Sequence, residues 1–500
     1  MEYVIQSIAS IFDPITLLLT IIGTAVGVIL GAMPGLNGPI GVALLLPFTF
    51  NLDPAAGLLM LGGIYMGSNY GGSISAILLN TPGTEVAACT ALEGFPLAQQ
   101  GRAKEALYYS ISACIIGGFI GVIVLIFFTP ILAKVALKFG PPEMFLMAMA
   151  GMAVVGSLTG KNIYKGLFAA AFGILLSTIG PDIMSGTERL SFGINQLKGG
   201  IPLIPAMIGL FAINEMLCQL GSRDGSLINV PFKEITFKEV FLNLVKKPLL
   251  VIKSSLLGTF IGILPGTGGA IATFIVYGEA KRSSKNPELF GKGCIDGIIA
   301  PESANNAAVG GSLVPLLALG IPGSATAAIL YGALTIHGLI PGPRLFQLNP
   351  QIVYTFMIGM LVTVFIMGLI GIYGVPYFSK ILKIKLKYII PIVLSLCIFG
   401  AYSIRNNLFD VLLAIVFGLI GYVLRQVDIP IAPIVLGIIL GPLAEENFRQ
   451  SLSIAKSESG SLLQYFIMRP ISIIIFILLL LLIYTNVKAV MRSENQEVEL

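Results

Sequence analysis

The chain has 500 residues, 56% hydrophobic and 11% charged, with a net charge of +5 and a mean hydropathy of +0.92. Water-soluble cores need far less apolar sequence, and the apolar stretches lack the ten-residue alternation of a membrane barrel. The composition therefore implies an all-α polytopic membrane protein. The few Lys and Arg lie in short connections, where they orient a chain in a bilayer and give no support to nucleic-acid binding.

In chain order, Met1-Glu2-Tyr3 lacks the basic region of a secretory signal, so the first apolar stretch is expected to remain. Segment 15–50 carries Gly27-x3-Gly31-x2-Pro34-Gly35-x2-Gly38-x-Ile40. Segment 57–97 is expected to be interrupted at Gly71-Gly72-Ser73 and at Pro82-Gly83-Thr84. Spans follow near 107–132, 142–158, 163–180 and 199–220, then a basic connection over 222–247. The first motif returns 231 residues later in segment 249–280, as Gly258-x3-Gly262-x2-Pro265-Gly266-x2-Gly269-x-Ile271. Segment 294–340 repeats the second pattern, with Gly310-Gly311-Ser312 followed by Pro322-Gly323-Ser324. Further spans are expected near 352–374, 388–403, 408–424, 428–442 and 468–487. A third echo pairs Pro202-x2-Pro205-x3-Gly209 with Pro430-x2-Pro433-x3-Gly437.

Three motifs recurring in the same order imply duplication. The first repeat covers 1–221 and the second 248–442, joined by a cytoplasmic linker over 222–247 and followed by a C-terminal span and tail over 443–500. Six Lys/Arg in 222–253 and four in 281–292 place both ends of segment 249–280 inside, whereas 1–14 and 49–56 hold none. Each half then supplies a re-entrant hairpin (15–50, 249–280), a broken transmembrane helix (57–97, 294–340) and further crossings. The two halves have inverted topology, with the N-terminus periplasmic and the C-terminus cytoplasmic. Lys134 and Lys138 go against this charge rule.

Broken helices at membrane depth are tolerated where they line a cavity, and a matched pair in two halves points to a transporter binding site. The breaks offer glycines, hydroxyls and amides but no Lys or Arg. An anion there would be held by helix N-termini, backbone N–H groups and Ser, Thr or Asn. The candidate substrate ligands are Asn37, Ser73, Asn80, Thr81, Thr84, Thr267, Gly268, Ser303, Asn305, Asn306, Ser312 and Ser324. Carbonyls released at Gly35, Gly38, Gly266 and Gly269, together with Glu302, are the candidates for a coupling ion, Na⁺ or H⁺. Glu85 and Glu302 also suit placement against a helix dipole. Gly27, Gly31, Gly258 and Gly262 read as close-packing positions.

The basic run at 380–387 reads as a topology signal that also suits anionic lipid. Pro265-Gly266-Thr267-Gly268-Gly269 is no phosphate loop, because it lacks the closing Gly-Lys-Ser/Thr and follows no strand. His337 is the single histidine and the five cysteines are scattered, so neither a metal site nor a resident cofactor is expected, and an enzyme is disfavoured.

At Gly31-Ala-Met-Pro-Gly-Leu36, Tyr70-Gly-Gly-Ser-Ile-Ser75 with Asn80-Thr-Pro-Gly83, and Leu264-Pro-Gly-Thr-Gly-Gly269, the chain resembles the TctA family, the large membrane subunit of the tripartite tricarboxylate transporters. The match continues through Pro301-Glu-Ser-Ala-Asn-Asn306 and Gly320-Ile-Pro-Gly-Ser324, over essentially all of 15–440. The resemblance implies a bacterial inner-membrane secondary transporter for di- or tricarboxylates or related acids, coupled to Na⁺ or H⁺. It also implies a small four-helix, TctB-like membrane subunit and a periplasmic, TctC-like solute-binding protein. An elevator-type mechanism is the expected mode, and a stand-alone organic-anion carrier is the alternative.

Overall fold

The computed structural model describes residues 2–158, 163–182, 185–220, 235–264, 268–381, 386–458 and 461–480. Helix α1 (Glu2–Ile11) leads into α2 (Pro14–Ala32), α3 (Gly38–Leu45) and α4 (Pro54–Leu79). Next come α5 (Ala88–Leu97), α6 (Ala103–Ala136), α7 (Pro141–Leu158) and α8 (Ile163–Ser177). A two-stranded ribbon pairs Gly180–Pro181 with Glu188–Arg189. Helices α9 (Leu203–Met207) and α10 (Asn214–Gln219) are joined by a π-helical stretch, Ile208–Ile213. The chain continues through α11 (Phe237–Val245), α12 (Pro248–Ile263), α13 (Gly268–Ser283), α14 (Asp296–Leu319), α15 (Ala325–Ile336) and α16 (Leu345–Leu348). Last come α17 (Pro350–Ile381), α18 (Leu386–Arg405), α19 (Leu408–Gln426), α20 (Ala432–Glu458) and α21 (Leu462–Ile467).

The local chemistry explains the main boundaries. Asp13-Pro14 and Asp53-Pro54 start α2 and α4 alike: each carboxylate accepts from two first-turn amides, and proline fills the first helical position, where no N–H is needed. Helix α2 stops before Pro34, and Gly35 turns with φ +83°, a left-handed conformation that favours glycine. Asn37 then caps α3 by accepting from the Ile40 amide at 3.3 Å. Helices α4 and α14 end on left-handed residues, Asn80 (φ 54°) and Gly320 (φ 73°). Each is followed by Pro-Gly, which folds back so that Gly83 N–H donates to Gly72 O (3.2 Å) and Gly323 N–H donates to Ser312 O (3.3 Å).

Two expectations about the breaks change. Gly71-Gly72-Ser73 and Gly310-Gly311-Ser312 do not interrupt their helices; they lie inside α4 and α14. Glycine alone need not end a helix, whereas proline after a left-handed cap does. What these glycines do is admit a neighbour, since Gly71 faces the backbone of Val28 and Gly311 that of Thr259. Between α5 and α6 the chain kinks at Gly101, whose φ of 80° is not helical.

Among the described residues, five helices are long and apolar enough to cross a membrane: Pro14–Ala32, Glu85–Ala136, Pro350–Phe378, Lys387–Arg405 and Leu408–Gln426. The expected spans near 107–132, 352–374, 388–403 and 408–424 fall on four of them. The span expected near 468–487 is described only to residue 480.

The fold divides into two compact units, each drawn from both sequence halves. Residues 1–131 with 215–406 form one, and 132–214 with 407–500 the other. In the first unit α2 lies on α4 through Gly23, Gly27 and Gly31, which meet the backbones of Met60, Ile64 and Ser68. Helix α12 lies on α14 in the same way, with Gly258 against Ala304 and Gly262 against Ala308. Removing side chains at four-residue spacing lets two backbones touch, the small-x3-small packing expected at Gly27, Gly31, Gly258 and Gly262.

In the second unit, Gly209 packs on Ala414 and Gly437 on Ala170, so the third sequence echo serves close packing at both ends. Glu143 is fully buried there and accepts from Arg469 and the Gly140 amide (2.7 Å each) and from Ser472 (2.5 Å). Arg189 and Arg449 bridge Asp182 and Glu445 beside the ribbon.

Candidate functional site

Every site residue below belongs to the first unit. At the first break, α3 begins where α4 and α15 meet it. A Cβ built on Gly38 would lie 2.7 Å from Ser68 Oγ and 3.1 Å from Thr326 Oγ1, so two hydroxyls press against the opening of α3. Ser324 caps α15 by accepting from the Ala327 amide (3.1 Å). The Tyr65 hydroxyl joins Ser324 (2.8 Å) to Ser312 (2.9 Å), linking the start of α15 to the middle of α14. Helix N-termini carry unsatisfied amides and a partial positive charge, so this junction suits an anion. Gly35, in the loop before α3, packs on Gln219 and Glu215 of α10.

A second cluster centres on Glu302, which is fully buried in α14. Ser73 (2.6 Å) and Thr90 donate to Oε1; Ser110 and Cys114 (2.9 Å each) donate to Oε2. Four neutral donors from α4, α5 and α6 therefore clothe one carboxyl group. One turn on, the Asn305 amide donates to Asn69 O (3.2 Å), and Asn306 reaches the sulfurs of Met66 (3.2 Å) and Met367 (3.0 Å). Ser303 Oγ, Asn305 Oδ1 and Asn306 Oδ1 are buried without a hydrogen-bond partner. Buried polar groups left unpaired cost free energy, so this part of α14 holds hydrogen-bonding capacity that packing does not use.

The remaining predicted residues distribute as follows. Asn80 is the exposed left-handed cap of α4, and exposed Thr81 donates only to Leu79 O, so neither joins the buried clusters. Thr84 is buried against Gly72, with its hydroxyl unpartnered. Gly266 and Thr267 lie outside the described residues; Gly268 opens α13, and Gly269 packs on Val86 and Ala308. His337 is partly buried beside Gly57. Among the described residues no three His, Cys, Asp or Glu side chains are placed to hold a metal ion.

Sequence reasoning missed several participants. Ser110 and Cys114 share one face of α6 at i,i+4 spacing, a signal available in an otherwise apolar span. Glu93 is fully buried on α5 and belongs to none of the repeated motifs. It accepts from Tyr277 (2.8 Å) and from the amides of Gly291, Gly293 (2.9 Å) and Cys294 (2.7 Å). Gly291 and Gly293 both have positive φ, which shapes this loop into a cradle of N–H groups around the carboxylate.

A family described as "Tripartite tricarboxylate transporter TctA family" matches residues 17–436. The chain is similar to "Uncharacterized 52.8 kDa protein in TAR-I ttuC' 3'region" of Agrobacterium vitis, 36% identical over 463 residues, covering 92% of this chain and 90% of that one. It is also similar to "Uncharacterized protein in TAR-II ttuC' 3'region" of the same organism, 38% identical over 202 residues, covering 40% of this chain and 84% of that one. No solved structure matches.

Proposed function

The chain belongs to the tripartite tricarboxylate transporter TctA family, and on that premise we propose that it is the large subunit of a carboxylate importer. In this reading it sits in the bacterial inner membrane with a small TctB-like membrane subunit. A TctC-like periplasmic binding protein delivers the acid, and Na⁺ or H⁺ supplies the driving force. The two breaks belong to inverted repeats with re-entrant hairpins. Alternating access carries one midplane site against a scaffold of the remaining helices, as in an elevator.

The observation that carries this reading is the pair of matched breaks, Asn80–Thr84 and Gly320–Ser324. Each folds back on its own helix, beside buried polar groups that bear no Lys or Arg. A scaffold protein has no use for two such breaks, and an enzyme would need a nucleophile or metal cluster.

Reconstitution tests it. Proteoliposomes holding this chain and the small subunit should take up labelled carboxylate only when the binding protein is added. Uptake by this chain alone would favour the stand-alone carrier, and no uptake of any carboxylate would remove the proposal.

A further inference from the structure

The starts of α3 and α13, around Gly38 and Gly269, are related in sequence but not in chemistry. The offset of 231 pairs Gly38 with Gly269, and the offset of 240 pairs Ser68 with Ala308 and Val86 with Thr326. The contacts follow the same pairing. Gly38 faces Ser68 and Thr326, whereas a Cβ on Gly269 would lie 2.5 Å from Val86 Cγ1 and 3.6 Å from Ala308 Cβ. One seam is lined by two hydroxyls and its counterpart by two hydrocarbon groups.

Resting on the carboxylate reading above, we infer that the substrate's carboxylate is received at the first seam, where the N-termini of α3 and α15 meet, and not at the second. Both helices turn their positive ends to that junction, and neither carries a charged residue, so the junction favours an anion over a cation. Thr326 is 4% exposed and makes no hydrogen bond to any described residue, although its hydroxyl points at the start of α3. That hydroxyl is free to donate, and an anion seated at the two helix starts would accept from it. The seam is closed along Gly38, but Asn37, Ser324 and Ala325 at its rim are partly exposed, giving an anion a way in. Among the described residues that face Gly269 at the second seam, Val86 and Ala308 have no proton to donate, so the hydroxyl pair of the first seam has no counterpart there.

The experiment uses the full-length chain in lipid nanodiscs, with equilibrium binding of ¹⁴C-labelled citrate, succinate, tartrate and glutamate up to millimolar concentrations. Thr326→Val keeps the shape and removes the donor, and should weaken binding of whichever acid the wild type holds by about tenfold or more. Thr326→Ser should restore affinity to within about threefold of wild type, and Val86→Thr should leave it unchanged. Unfolding followed by far-UV circular dichroism checks that each variant is folded. Equal affinity in Thr326→Val, or a change confined to Val86→Thr, overturns the assignment of the seat while leaving the carboxylate reading intact. A folded wild type that binds none of the acids overturns both.

Discussion

The glycine contacts between α2 and α4 make a sharp prediction about stability. A methyl group on Gly27 would sit 2.5 Å from the Ile64 carbonyl oxygen and 2.7 Å from its Cα. Both atoms are backbone, so no rotamer change relieves the clash and the helices must separate by several tenths of an ångström or more. Overpacking of this kind costs roughly 1–3 kcal/mol, from which about 1 kcal/mol of improved helix propensity is recovered. Gly27→Ala should therefore destabilise by up to about 2 kcal/mol. Gly27→Ala with Gly31→Ala should cost less than the sum of the two, because one displacement serves both. Gly278→Ala is the control: nothing lies within 4 Å of its Cβ position in α13, so only propensity acts, and a gain of about 0.5–1 kcal/mol is expected. The chain has no tryptophan, so detergent-titrated unfolding should be followed by circular dichroism at the helical band. If Gly27→Ala were as stabilising as Gly278→Ala, the backbone-to-backbone packing described here would be refuted.

Three further outcomes follow from the clusters. Ser73→Ala and Asn306→Ala should each abolish carboxylate uptake while membrane insertion stays at wild-type levels; normal transport in both would discard the Glu302 and Asn305–Asn306 region as the site. Glu93→Ala strips one acceptor from three amides and a tyrosine hydroxyl, and should cost about 2–4 kcal/mol and speed maleimide labelling of Cys294. Unchanged labelling would show that the loop does not depend on the carboxylate. Glu445, beyond the apolar segment 428–442, is held below the usual carboxylate range, first by its hydrogen bonds from Arg189. Because its folded value is the lower one, the ion pair contributes fully above the unfolded value of about 4.3 and is lost as pH falls through the folded value. Arg189→Gln should therefore flatten the acid side of the stability profile, and an unaltered profile would argue against the pairing.

Much of this arrangement was legible in the chain. Pro34-Gly35, Pro82-Gly83 and Pro322-Gly323 marked breaks because proline cannot continue a helix, and the four-residue glycine spacing marked the packed faces of α2 and α12. The Gly-Gly-Ser pairs misled, since glycine weakens a helix without ending it when a neighbouring backbone fills the space. Glu302 stood out as an acid in an apolar run, but its partners did not. Ser73, Thr90, Ser110 and Cys114 come from three other helices, and only tertiary folding brings them together. Glu93 was hidden for the same reason, its partners being backbone amides about 200 positions away. The polar character of one seam and the apolar character of the other required knowing which residue faces Gly38 and which faces Gly269.

Labelled-carboxylate uptake tests the central claim most directly, comparing cells that carry the chromosomal locus intact with cells lacking only this chain. The account predicts that uptake of at least one di- or tricarboxylate or related acid disappears with the chain and returns when it is supplied on a plasmid. Uptake of every such acid at the same rate in both strains would contradict it.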